Sequence, residues 1–158
     1  MQTSDSGLKF LMDQEGFNLI AYYDNEGYAT QGVGHLLTHV KYVPLTQFPQ
    51  ITIAQALEWL RDDVRHCEMC ISVNITPWRT MAQNEYDAVV SLIFNIGTEA
   101  FATSTVCRVL RPPEDADRIM PAWEAWNCET DVNGHMYHSP ALLARRKREL
   151  ALYYKSMR

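Results

Sequence analysis

No apolar run in this chain approaches the roughly 20 residues that cross a bilayer, so membrane insertion is not expected. Basic side chains are scarce at the start: residues 1–60 carry only Lys9 and Lys41. The formal net charge of −5 argues against nucleic acid as a partner, because a polyanion needs a basic face. Glycine and proline number seven each, too few for a flexible chain, and neither an internal repeat nor a low-complexity segment is visible. Cysteine occurs four times, at 67, 70, 107 and 128. In a reducing compartment such residues serve as small core side chains rather than disulfides. Cys67-Glu-Met-Cys70 has C-x-x-C spacing, but a structural zinc needs four ligands and no second close pair exists, so both read as helix residues. His39, His66, His135 and His138 form no metal spacing either, and neither a metal nor an organic cofactor is expected. The opening "MQTSDSGLKF" has no basic segment followed by an apolar run, so synthesis in the cytoplasm without a signal peptide is the expectation.

What is present suits a packed core: 47% hydrophobic and 21% charged residues in a chain of 158. A first helix is predicted after Ser4 or Ser6, with Leu8, Leu11 and Met12 on one side and Gly16 past its end. Glu15 then falls in the last turn, where a carboxylate opposes the helix dipole. "AYYDNEGYATQGVGH", residues 21–35, reads as a strand, a turn at Asn25-Glu26-Gly27 and a return strand broken by Gly32 and Gly34. Residues 36–50, punctuated by Pro44 and Pro49, read as loop with one short strand at most. Thr52-Ile-Ala-Gln55 is a capping box opening a helix over 52–71. "QNEYDAVVSLIFNIG" is a broadly apolar helix stopping at Gly97, and Ser104-Thr105 opens another through Leu110. Pro112 and Pro113 redirect the chain before a helix over 114–126 that bears Trp123 and Trp126. "NCETDVNGHMYH" reads as a polar loop, and Ser139-Pro140 as the cap and first residue of a last helix. Its basic residues, Arg145, Arg146, Lys147, Arg148, Lys155 and Arg158, read as a wet helix face.

These elements predict an α+β molecule: a small α/β lobe over about 13–60 and a helical lobe of 72–158 plus the N-terminal helix. The helix 52–71 links them, leaving a cleft for a ligand. Glu15, Asp24 and Thr30 lie at the end of a helix, the end of a strand and on the facing strand. Two carboxylates in unequal surroundings beside a hydroxyl suit glycoside hydrolysis, which needs one carboxyl protonated and another ionised. Spacing alone does not lift them above ordinary surface acids and a strand-forming threonine.

A longer pattern does. Glu15-Gly16, Ala21-Tyr22, Asp24, Gly27, Thr30, Gly32, Gly34-His35 and Leu36-Leu37-Thr38 resemble, with spacings intact, the active-site signature of the phage-type lysozymes. "SLIFNIGTEAFATST", residues 91–105, and Leu142-Leu143 followed by Arg145, Arg146 and Glu149 are similar to later segments of that family. The resemblance implies a lysozyme-like α+β fold and a muramidase of bacterial peptidoglycan. The bond cut is the β-1,4 link between N-acetylmuramic acid and N-acetylglucosamine. It implies Glu15 as general acid, with Asp24 and Thr30 holding a water that attacks from the opposite face and inverts the anomeric centre. Gly34, His35, Leu36, Asn95, Phe101, Ser104 and Thr105 would line the saccharide and peptide groove, His35 also fixing the sheet, and Arg145 and Arg146 would support the site. A monomer acting on glycan strands is implied, reaching the wall through a separate pore protein as a phage endolysin, or by a secretion apparatus as an antibacterial effector with an immunity protein. The alternatives are a lytic transglycosylase, which leaves an anhydro sugar, and a non-catalytic wall-binding module on the same fold. Four features depart from the family: Gln31 stands where an apolar residue is expected, Ser139-Pro140-Ala141 replaces a glycine, the net charge is negative, and the cysteines are extra. Strand alternation predicts that Gln31 points away from Thr30.

Overall fold

The first helix begins where the sequence supplies a hydroxyl. In the computed structural model, which describes residues 1–111 and 116–155, Ser4 Oγ accepts from the Gly7 amide at 3.0 Å and caps α1 (Asp5–Glu15). Leu8, Leu11 and Met12 are buried, and Gly16 ends the helix at φ 72°. Two compact units are formed: Ser4–Arg65, and Met1–Thr3 with the chain from His66. Helix α1 packs against α2 (Ile53–Asp63) and so belongs to the first unit, not to the helical one as the sequence suggested.

The first unit holds an antiparallel meander of β1 (Asn18–Tyr23), β2 (Tyr28–Gly32) and β3 (His35–Lys41). The one short strand allowed for within 36–50 is β3, which starts already at His35 and runs for seven residues; beyond it the chain makes a 3-10 turn at Leu45–Gln47 after Pro44. Strand β3 alternates poorly because its burial is graded along its length, so its period was hidden in the sequence.

Asn18 pairs with Gly32 but Tyr22 pairs with Thr30, so Leu19, Ile20 and Ala21 all oppose Gln31 alone. Such a bulge bends the strand and frees backbone groups from the ladder. The Leu19 carbonyl accepts instead from Gln31 Nε2 at 2.8 Å and from the Ile51 amide at 3.0 Å. The same Gln31 nitrogen donates to the Pro49 carbonyl at 2.9 Å. Gln31 is 1% exposed and lies on the face opposite Thr30, as alternation predicts. Its amide does what an apolar side chain could not: it satisfies the carbonyls at the bulge and at Pro49.

Helix α2 opens with the predicted capping box, Thr52 Oγ accepting from Gln55 N and Gln55 Oε1 from Thr52 N. The single helix expected over 52–71 is instead two. Val64, at ψ −8°, interrupts it, and α3 (Arg65–Asn74) continues beyond. The Val64 amide is shared between the Leu60 and Asp62 carbonyls, the mark of a tightened last turn.

In the second unit the Thr3 amide and hydroxyl both donate to a Glu68 oxygen at 2.7 Å. Cys67 and Cys70 lie on α3 and are buried free thiols, as is Cys107. Burial pushes the Cys67 thiol up to about 12 and raises the other two, so none is a ready nucleophile. Helix α4 (Gln83–Ile96) is buried without a gap from Tyr86 to Ile93. Next come α5 (Thr98–Thr103), not foreseen, and α6 (Thr105–Leu110), which was. Helix α7 (Ala116–Glu124) falls within the predicted 114–126; Pro112, Pro113, residues 114 and 115 and Arg158 lie outside the described residues. The expected polar loop is a hairpin of β4 (Cys128–Thr130) and β5 (Met136–His138). Helix α8 (Pro140–Tyr153) starts at the Ser139 cap.

One carboxylate ties these helices together. Glu149 of α8 is 0% exposed; its Oε1 accepts from Ser91 Oγ, Arg145 Nε and Arg146 Nη2 at 2.9, 3.1 and 3.0 Å. Its Oε2 accepts from Trp123 Nε1 at 2.9 Å. A buried carboxylate is tolerable only with such partners.

Replacing Gln31 by leucine is expected to lower unfolding free energy by about 1–3 kcal/mol in urea titrations, the cost of orphaned buried carbonyls. Glu149→Ala, which strands two buried guanidiniums, is expected to cost about 3–5 kcal/mol by the same measurement.

Candidate functional site

Asp24 comes directly after the last residue of β1, where the chain must reverse within a few residues. The reversal is built on its own carboxylate: Oδ1 accepts from the Glu26 and Tyr28 amides, both at 2.9 Å. The backbone closes the turn, Asp24 N–H donating to Tyr28 O at 3.0 Å and Gly27 N–H to Asp24 O at 3.1 Å. Gly27 sits at φ 90°, a conformation few side chains accept. One oxygen of Asp24 is thus committed to the turn, while Oδ2 has no hydrogen-bond partner among the described residues.

Thr30 pairs with Tyr22 across β1 and with Leu36 across β3. Directly opposed residues share a sheet face, and Asp24 stands two residues beyond Tyr22, so Asp24, Thr30 and Leu36 lie on one face. Diagonal neighbours of this kind lie about 7–8 Å apart, with their Cβ atoms somewhat closer. Thr30 Oγ donates to the Tyr28 carbonyl at 3.3 Å, which leaves its lone pairs to accept. The Tyr28 residue therefore orients both groups, its amide holding the acid and its carbonyl the hydroxyl. Glu15, the last residue of α1, is exposed, three residues ahead of β1.

Gly34 is exposed at φ 71°, and Leu36 is exposed beside Thr30. His35 points to the other face: its Nδ1 lies 2.9 Å from Asp63 Oδ2, and its ring stacks on Trp59 at 4.7 Å. It braces the sheet against α2, the structural part of its expected role.

The groove residues expected in the second unit divide. Phe101 is 0% exposed and is a core residue, a place from which no sugar is touched. Ser104 is also buried; its hydroxyl donates to Phe101 O at 2.6 Å and accepts from Cys107 N at 3.0 Å, so it caps α6. Thr105 is exposed, its hydroxyl accepting from Arg108 Nη2 at 2.8 Å. Asn95 is exposed, and Arg146 Nη2 donates to its Oδ1 at 2.8 Å. Arg145 and Arg146 thus serve Glu149, and Arg146 also orients Asn95.

Asn95 lines a pocket of about 520 Å³ with Trp126, Glu129, Met136 and Leu142. Trp126 and Thr105 border a second hollow. Sequence reasoning passed over Trp126 and the β4–β5 wall. The signal was present: Asp131-Val-Asn-Gly134 repeats the turn Asp24-Asn-Glu-Gly27. Asp131 Oδ1 accepts from the Asn133 and His135 amides at 2.8 and 2.9 Å, and Gly134 sits at φ 84°. Those amides, that of His135 foremost, hold the Asp131 carboxyl below its ordinary range. Here, though, the other oxygen faces His135 Nδ1 at 3.4 Å, so this copy of the turn is closed on itself.

The phage lysozyme family model matches residues 12–149. The chain is 37% identical to the endolysin of Salmonella phage P22 over 155 residues, covering 97% of this chain and 98% of that protein. Among solved structures, an endolysin from Escherichia coli O157:H7 phage FAHEc1 superposes with a TM-score of 0.83 at 32% identity, over 99% of this chain and 96% of that one. The muramidase domain of SpmX from Asticaccaulis excentricus superposes with a TM-score of 0.81 at 26% identity, over 98% of this chain and 99% of that one. This chain belongs to the phage lysozyme family and, with it, is a glycoside hydrolase that degrades peptidoglycan.

Proposed function

We propose that the chain is a muramidase that hydrolyses the β-1,4 bond between N-acetylmuramic acid and N-acetylglucosamine with inversion. The observation that carries this reading is the state of Asp24: Oδ1 is anchored by two amides, Oδ2 has no partner among the described residues, and the residue stands two positions beyond the Tyr22–Thr30 pair. A water held between Asp24 Oδ2 and Thr30 Oγ would be oriented by two acceptors, with its own lone pair left for the sugar. Asp24 takes the proton that this water loses as it attacks the anomeric carbon. Glu15 gives a proton to the departing glycosidic oxygen, so charge balances across the step. The name of the SpmX relative, a muramidase domain, supports the bond assignment. Leu36, paired with Thr30 across the sheet, offers an apolar contact of the kind that sugar rings use.

The endolysin relatives favour a role in host lysis. No helix among the described residues is long and apolar enough to cross a membrane; release to the wall through a separate pore protein is part of the same proposal.

Glu15→Gln is expected to lower lysis of outer-membrane-permeabilised cells by about 100-fold or more, since the departing oxygen loses its proton donor. Unchanged lysis would remove Glu15 from that role. Mass spectrometry of digested peptidoglycan is expected to show hydrated, reducing muramic acid ends; anhydro ends as the main product would assign the chain to lytic transglycosylation instead.

A further inference from the structure

The turn that aims Asp24 is gripped from outside by the residues after β3, and the grip involves the one non-glycine residue held at positive φ among the described residues. Tyr42 has φ 56°, a conformation that costs a bulky residue of order 1–2 kcal/mol unless its surroundings enforce it. Three contacts enforce it. The Tyr42 amide donates to the Gly27 carbonyl at 2.9 Å. The Tyr42 ring covers Gly27 so closely that a Cβ there would lie 2.6 Å from ring carbons. Tyr23, the residue before Asp24, meets the Tyr42 ring edge-on at 5.9 Å, and its hydroxyl donates to the Val43 carbonyl at 2.6 Å. On the same side Lys41 pairs with Tyr28 in the ladder, and its Nζ lies 4.8 Å from the centre of that ring.

Tyr42 is 71% exposed, so this arrangement hides little apolar surface. A strained, exposed aromatic that buries little is poorly explained by stability. What it does fix is the position of Gly27, and through the Gly27 amide the carbonyl of Asp24. We propose that Tyr42, with Tyr23, is a positioning residue for Asp24: its ring closes over Gly27 and prevents the turn from relaxing, so that Oδ2 keeps its aim at the water beside Thr30. The inference rests on the role proposed for Asp24 in hydrolysis. Glycine at 27 is required twice over, by its φ of 90° and by the Tyr42 ring that covers it.

Asparagine tolerates positive φ but lacks the ring, so Tyr42→Asn separates aiming from backbone strain. On soluble glycan-strand fragments, Tyr42→Asn is expected to lower kcat about ten-fold with KM within about two-fold and thermal stability not reduced, since a small misplacement of a reacting group acts on the transition state. Tyr42→Phe, which keeps the ring, is expected to restore kcat to within about two-fold of wild type. Tyr23→Phe, which cuts the grip at the exposed Val43 carbonyl, is expected to lower kcat by a smaller factor. Wild-type kcat in Tyr42→Asn and Tyr23→Phe, or a loss carried by KM, would overturn the assignment. The Asp24→Asn variant is measured beside them. If it is inactive while Tyr42→Asn is not, only the positioning role falls; if it too is fully active, the role of Asp24 falls with it.

Discussion

Glu149 accepts four hydrogen bonds with no exposure to water, and the helical unit is arranged around that requirement. Ser91 comes from α4, Trp123 from α7, and both arginines from α8 itself, so moving any of these elements would strand a charge where water cannot reach it. The apolar run of α4 is buried from Tyr86 to Ile93, but buried area is indifferent to register. The carboxylate is not indifferent: each donor must arrive within hydrogen-bond reach. Arg146 passes this order outward, because the guanidinium that serves Glu149 also fixes the amide of Asn95 at the pocket edge.

The contrast with Asp24 separates structure from chemistry in this molecule. Both oxygens of Glu149 are saturated, and such a group can only hold things in place. Asp131 sits in the same turn as Asp24 but spends its second oxygen on His135. Asp24 alone of the three keeps an oxygen unengaged while the other is pinned by two amides. A carboxylate that is fully free would wander, and one that is fully bonded could not take a proton. Half-engagement on a rigid ribbon gives both direction and capacity, which is the condition a group acting on water must meet. The rest of the first unit serves that ribbon. Gln31 holds the bulge, His35 and Asp63 join the sheet to α2, and the Tyr42 ring closes over the turn.

Much of this was legible in the residues because it is local. Caps at Ser4, Thr52, Ser104 and Ser139 are short-range hydrogen bonds, and the spacing that announces them is the spacing that makes them. The same holds for the turn at Asp24, although its twin at Asp131 went unread for want of apolar strands around it. The α2–α3 break was not legible, since Asp62, Asp63 and Val64 are only modestly poor helix formers and no glycine or proline marks the place. Nor were the bounds of β3, whose partly covered faces blur the alternation that marks a strand. Phe101 and Ser104 show a different limit: a motif locates a segment but not which of its side chains turn inward.

The amino-acid order by itself determined the α+β class and the phage lysozyme pattern from Glu15 to Thr38, because each is carried by residue type at short spacing, and resemblance to that pattern marked the candidate acids and their threonine. Tertiary structure alone decided what those groups are free to do. Whether Gln31 is a misfit or a staple depends on Leu19 and Pro49 carbonyls brought to it by a bulge and a loop. Whether Tyr42 is an idle surface ring depends on Gly27 across the sheet. Such facts belong to pairs of residues distant in sequence, and a hydrogen bond or a van der Waals limit exists only once folding has put both partners within a few ångströms.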